Sequence, residues 1–202
     1  MEVRINSRTN RGFTLIEVVV VAGVIAIIAA VTLASFPEFS ERIGIEQQAG
    51  KFVLSLRKAQ SYALAVREFQ PGSDIFPPYG VNITMSDPTH YTIFGDVNFE
   101  ENNPSYTPRF ESFLGELVEV FSVEKRVSVF QICGNSQSEP VGPCSLSSAD
   151  IAYTRPGPSI SLIGVDGGLA LSYNDIKVVL RSLDGSIQKS VIIWSTGQIS
   201  IE

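Results

Sequence analysis

The chain has 202 residues, 44% of them hydrophobic, with 15 lysines and arginines against 21 aspartates and glutamates and a formal charge of −6. The acidic excess counts against a nucleic-acid partner, which needs clustered cations, and the length allows one compact domain beside a membrane anchor. A single histidine and two cysteines leave little from which to assemble a metal centre.

Residues 1–12 hold Arg4, Arg8 and Arg11 against Glu2, so this leader is expected to stay cytoplasmic by the positive-inside bias. Its removal leaves 12 basic and 20 acidic residues. Residues 13–36 follow as an apolar run, long enough at about 1.5 Å per residue to cross a hydrocarbon core of roughly 30 Å. Glu17 is the one charge in that run, and no cation follows it before Arg42. Burying an ionised side chain at that depth costs roughly 2.5–3.5 kcal/mol, so Glu17 needs a partner. Cutting the chain between Gly12 and Phe13 would supply one, because the new amine of a neighbouring subunit could meet the carboxylate. A secretory signal fits less well, since its apolar centre is about 7–15 residues long and ends at a small-residue site. Here the run is longer, carries Glu17 and closes on Ala34-Ser35-Phe36-Pro37. A plain anchor has no use for an acid so soon after a Gly-Phe junction.

The stretch Arg11-Gly12-Phe13-Thr14-Leu15-Ile16-Glu17, with an apolar helix behind it, resembles the class III signal of type IV prepilins and pseudopilins. The resemblance implies an α+β, pilin-like fold: one long N-terminal helix, its first half in the membrane and its second half packed on a C-terminal antiparallel β-sheet domain. It implies cleavage after Gly12 by a membrane-embedded prepilin peptidase, methylation of Phe13, and docking into a filament guided by Glu17. The partners it implies are that peptidase, other pilins or pseudopilins, an inner-membrane assembly platform, and membrane lipid before assembly. Nucleic acid is not expected as a partner, and no cofactor is expected. The expected location is the cytoplasmic membrane, single-pass with the N-terminus inside and the globular domain outside, and then a pilus or pseudopilus.

Residues 37–70 are expected to continue the helix. Ile45, Ala49, Phe52, Leu56, Ala59, Ala63 and Val66 recur in steps of four and three, a stripe suited to covering a sheet. Glu41, Gln48, Lys51, Ser55, Lys58 and Ser61 fall mostly off that stripe, and Gln70-Pro71-Gly72 should end the helix. Pro37 should kink it or open a turn. From residue 71 the texture becomes a β-rich domain to residue 202. Strands are expected at 79–85, 90–94, 117–123, 127–132, 151–154, 177–183, 187–194 and 198–201, with Asp184-Gly185 and Thr196-Gly197 as turns. With Arg155-Pro156-Gly157-Pro158 after its strand and a closing V-I-I-W-S-T-G-Q-I-S-I, this half is similar to FimT/GspH-type minor pseudopilins.

Cys133 and Cys144 bracket a loop rich in glycine and proline. In an oxidising space they would form a disulfide; zinc would need ligands that His90 alone does not complete, and two free thiols are the remaining reading. Asp96, Asn98 and Glu100 open like a calcium loop, but Glu101 stands where the turn needs glycine and Thr107 where a glutamate belongs, so an acidic surface loop is the preferred reading. His90 has no nucleophile tied to it, the S-x-x-K matches at Ser55 and Ser186 are read as chance, the first on an exposed helix face, and Asn82-Ile83-Thr84 is an incidental sequon. The tail ending in Glu202 is not basic, although Lys177, Arg181 and Lys189 could form a small patch. The expectation is a non-enzymatic, minor structural subunit of a type IV pilus or a type II secretion pseudopilus. The alternative is a membrane-anchored binding module for DNA uptake, adhesion or secreted substrate.

Overall fold

The computed structural model describes residues 12–99, 107–111, 115–124, 126–135, 144–154 and 159–202, with backbone alone at 34–38 and 159. The leader before Gly12, Glu100, most of the loop between the cysteines and the 155–158 turn lie outside the described residues. The layout is α+β and pilin-like: helix α1 (Leu15–Leu64) precedes the strands. The chain divides into a unit ending at Ser40 and a unit Glu41–Glu202.

In the first unit, Leu15–Leu33 is long and apolar enough to cross a membrane, with a mean hydropathy of 2.8 and none of it buried. The helix assignment runs on through Pro37, where a kink or an opened turn had been expected, and no turn is opened there. Proline withdraws one donor, and the residues on either side carry the helix past the single unmade bond.

In the second unit, α1 buries Ile45, Ala49, Phe52, Leu56, Ala59 and Ala63, none more than 2% exposed. Full burial of side chains such as Phe52 and Leu56 stabilises by about 1.5–3 kcal/mol each. The stripe also takes in two polar residues that its period had placed outside. Gln48 accepts the Glu124 N–H at 3.1 Å, and Ser55 Oγ lies 3.2 Å from the Tyr91 hydroxyl, so both are buried with partners.

The helix ends at Leu64, several residues before Gln70, because Val66 adopts a left-handed φ of 52°. The Arg67 N–H reaches Tyr62 O at 3.2 Å and the Val66 N–H reaches Ala63 O at 3.4 Å, the two bonds of a Schellman motif. The contact that usually closes this motif is apolar; here the Arg67 guanidinium sits 3.9 Å from the Tyr62 ring centroid.

Ten strands lie among the described residues: β1 (Tyr79–Thr84), β2 (His90–Gly95), β3 (Leu117–Ser122), β4 (Val127–Asn135), β5 (Ser148–Thr154), β6 (Ser159–Asp166), β7 (Leu169–Ser172), β8 (Asp175–Ser182), β9 (Gln188–Trp194) and β10 (Ile199–Ile201). They form a six-stranded sheet, β3-β2-β1-β5-β6-β7, and a four-stranded sheet, β10-β9-β8-β4. Alternate residues of both, among them Val81, Ile93, Ile151, Leu162, Ile176, Val178 and Val191, join the α1 stripe in one core. The sequence pattern had offered no strand for either β6 or β7, and it had ended β4 before Cys133. The β4 strand runs on to Asn135, where Asn135 pairs with Asp175 and Gly134 lets the Tyr173 ring lie against the backbone.

Candidate functional site

The residues singled out near the N-terminus lie at the start of α1. Gly12, Phe13 and Thr14 are not helical, and Thr14 caps the helix: the Glu17 N–H approaches Thr14 Oγ1 at 3.3 Å and Thr14 O at 3.1 Å, and the Val18 N–H approaches Thr14 O at 3.3 Å. Thr14 is therefore the N-cap and Glu17 the third helical residue, the spacing of a capping box. A carboxylate in the first turn faces the positive end of the helix dipole, worth about 0.3–1 kcal/mol. Sequence reasoning missed the role of Thr14, although T-x-x-E before an apolar run signals it. Phe13, Glu17, Val18, Val21, Ala22 and Ile25 line an open groove of about 340 Å³ along one face. A Cβ built on Gly12 meets nothing within 4 Å, so nothing inside the described chain demands glycine there.

The other candidates lie in the second unit. Cys133 and Cys144 form a disulfide. Because Cys133 sits in β4 and Cys144 just before β5, the bond ties one sheet to the other beside the Leu146 N–H to Ile132 O bond of 3.2 Å. Asp96 is fully buried, where a surface loop had been expected. Its oxygens accept the N–H groups of Asn98 at 3.2 Å and Arg109 at 3.3 Å. Among the described residues no group of three or more His, Cys, Asp or Glu side chains is arranged to hold a metal ion.

His90 Nδ1 lies 2.9 Å from Asp87 Oδ2 in a half-exposed turn. Ser55, expected on an exposed face, is buried against Tyr91, while Lys58 turns away to Glu119 at 2.5 Å. Asn82 donates to Asp150 Oδ1 at 2.7 Å in the interior. Lys177 and Arg181 share one face of β8, and Lys189, opposite Leu180, lies on the other, so these cations do not make one patch. Arg181 instead stacks on Phe130, its guanidinium 4.6 Å from the ring centroid.

With this geometry in place, the comparisons identify the N-terminal stretch. The family model of the prokaryotic N-terminal methylation motif matches residues 7–33. No curated protein and no solved structure matches the chain. The chain thus carries a type IV pilin-like class III signal, on a helix of membrane-spanning length, before an α+β pilin-like layout. Such a motif marks a pilin-like or pseudopilin-like precursor, processed by prepilin peptidase and assembled with other pilins.

Proposed function

We propose that this chain is a minor structural subunit of a type IV pilus or type II secretion pseudopilus, of the FimT/GspH kind, with no catalytic activity of its own. The prepilin peptidase cuts after Gly12, removing the 1–12 leader, and the new Phe13 amine is methylated. The 13–36 segment crosses the cytoplasmic membrane with its N-terminus inside and later packs in the filament core, while 37–70 and 71–202 form the external domain. Glu17 pairs with the Phe13 amine of a neighbouring subunit.

The observation that carries this reading is a lone acid in the first turn of an otherwise uncharged, membrane-length helix, one turn beyond Gly12-Phe13. Dipole and cap offset about 0.3–1 kcal/mol of a cost of roughly 2.5–3.5 kcal/mol, so most of it remains for a partner to relieve. The open surroundings of Gly12 fit a glycine required by the peptidase cleft. Two substitutions test the reading. Glu17→Val should leave insertion and leader cleavage intact and abolish recovery with the other pilins by pull-down; normal recovery would refute the pairing. Gly12→Leu should leave the leader attached, read as an unshifted mass, and normal processing of that variant would refute the cleavage site.

A further inference from the structure

The backbone amides of Arg109 and Glu111 each meet a different buried carboxylate, and the backbone between them passes a third. The Arg109 N–H donates to Asp96 Oδ2 at 3.3 Å and the Glu111 N–H to Glu116 Oε2 at 2.6 Å, while the Phe110 backbone between them lies near Asp150. Asp96 and Glu116 have no exposed surface, and Asp150 is 5% exposed. The acids come from separate strands: Asp96 follows β2, Glu116 precedes β3, and Asp150 lies in β5 beside Asn82 of β1. The segment they hold belongs to no sheet ladder among the described residues and is pinned otherwise by buried Pro108 and by Phe110, whose ring lies 5.6 Å from that of Phe94.

Among the described residues the acids of this cluster outnumber the cations. Arg109 turns its guanidinium to Glu111, 2.8 Å away, with half its own side chain exposed. No lysine or arginine is buried among the described residues. Glu116 Oε1 is buried without a hydrogen-bond partner. Burial first, then the nearby Asp96 and Glu111 charges, pushes Glu116 up to about 7, and burial pushes Asp150 up to about 6. Ionising Glu116 would place a second negative charge near Asp96 where water does not reach. Moving β2 or β5 to admit water would break sheet ladders, whereas moving residues 109–111 breaks two amide hydrogen bonds and one ring contact.

We propose that residues 109–111 form a proton-sensitive strap, closed over Asp96, Asp150 and Glu116 while Glu116 holds its proton and lifted to admit water when that proton leaves. The groups facing Glu116 and its neighbours among the described residues are Asp96, Asp150, and the strap's own Arg109 and Glu111. Lifting exposes the face of Phe94 that Phe110 covers.

Hydrogen exchange on the full chain in detergent micelles tests this. After correction for intrinsic rates, protection of the 109–111 amides should be constant up to about pH 6.5 and fall about tenfold per pH unit above about pH 7.5. Glu116→Gln should abolish that slope while Asp87→Asn, at a distant turn, leaves it unchanged. Independently, tryptic cleavage after Arg109 in the wild-type chain should rise between about pH 7 and pH 9 by more than in the free peptide Thr-Pro-Arg-Phe-Glu, which keeps the test decisive should Glu116→Gln fail to fold. Flat wild-type protection, cleavage that follows the free peptide, or a Glu116→Gln chain as pH-sensitive as wild type would each overturn the strap.

Discussion

Val66 is a β-branched residue in the left-handed region, a conformation that costs an L-residue about 1–2 kcal/mol. The strain is held by the Schellman bonds from Arg67 to Tyr62 and from Val66 to Ala63, by Arg67 over the Tyr62 ring, and by the Tyr79 hydroxyl donating to Arg67 O at 3.1 Å. Glycine at this position removes the strain but gives up about 0.5–1 kcal/mol of unfolded-state entropy and part of a half-exposed side chain. The net for Val66→Gly is therefore small, a gain near 0.5 kcal/mol. Leu64→Gly makes the sharper comparison, because it loses a similarly exposed apolar side chain and pays the same glycine entropy at a helical φ. It should cost about 1 kcal/mol, leaving the two variants about 1.5 kcal/mol apart. Denaturant unfolding of the full chain in micelles, followed by Trp194 fluorescence, reads the difference. A Val66→Gly chain as unstable as Leu64→Gly would show that residue 66 is not strained and that the helix stops for another reason.

Three more predictions concern the same unit. Stability should fall as pH rises from about 5 to about 7.5: Glu116 and Asp150 keep protons up to about 7 and 6 in the folded chain, whereas the unfolded chain has lost them by then, so a contribution of a few kcal/mol disappears as pH climbs through those values. Asp184, held low chiefly by the Ser182 hydroxyl, works in the opposite sense and only in stronger acid, so denaturation midpoints across that range, compared with those of Glu116→Gln and Asp150→Asn, check the two buried acids. Gly80→Ala should cost more than about 2 kcal/mol, since the new Cβ would lie 2.6 Å from the Phe94 ring and 2.7 Å from Ile151 O, a backbone atom that cannot step aside; a midpoint near wild type would refute the close approach. Replacing both Cys133 and Cys144 by serine should cost slightly under about 3 kcal/mol for a bridge separated by 11 positions, measured as a lowered midpoint, and a reductant should then have no further effect.

The α1 stripe was legible because its apolar residues repeat with the helical period: six of the seven are buried, and Val66, the last, lies beyond the helix end and is half-exposed. Its polar members were not legible. Nothing local distinguishes Ser55 from Ser61; the difference is the Tyr91 hydroxyl, which β2 brings across. The helix end was misplaced for a related reason, since Pro71-Gly72 is a strong stop signal while Val66 is a poor one, and only the Tyr62 and Tyr79 contacts of the following turn make it act as one. The hairpin between β6 and β7 did carry a readable signal in Gly167-Gly168, both at positive φ, but the four exposed residues of β7 lack the alternation that marks a half-buried strand. At the N-terminus the methylation motif was readable because its residues are close in sequence, but the cap that Thr14 supplies went unread although T-x-x-E signals it. The strap was not readable, since Asp96, Glu116 and Asp150 look like surface acids until the β1-β2-β3-β5 pairings bring them under one segment.

Glu17 and Glu116 set the same electrostatic problem and meet it in opposite ways. Under the proposed function, the Glu17 carboxylate meets the Phe13 amine of an incoming subunit, and the capped first turn of α1 is the place in an apolar helix where an acid costs least. Glu116 has no cation to wait for, and burial favours its protonated form. Neutral glutamine should therefore act in opposite directions at the two sites. Glu17→Gln should weaken assembly while leaving the second unit's stability unchanged, whereas Glu116→Gln should raise that stability above about pH 7 and leave assembly through the N-terminal helix intact. A Glu17→Gln subunit that assembles as well as wild type would mean that shape alone, along the face carrying Phe13 and Val21, directs docking, and that the acid of the first turn serves the helix rather than the filament.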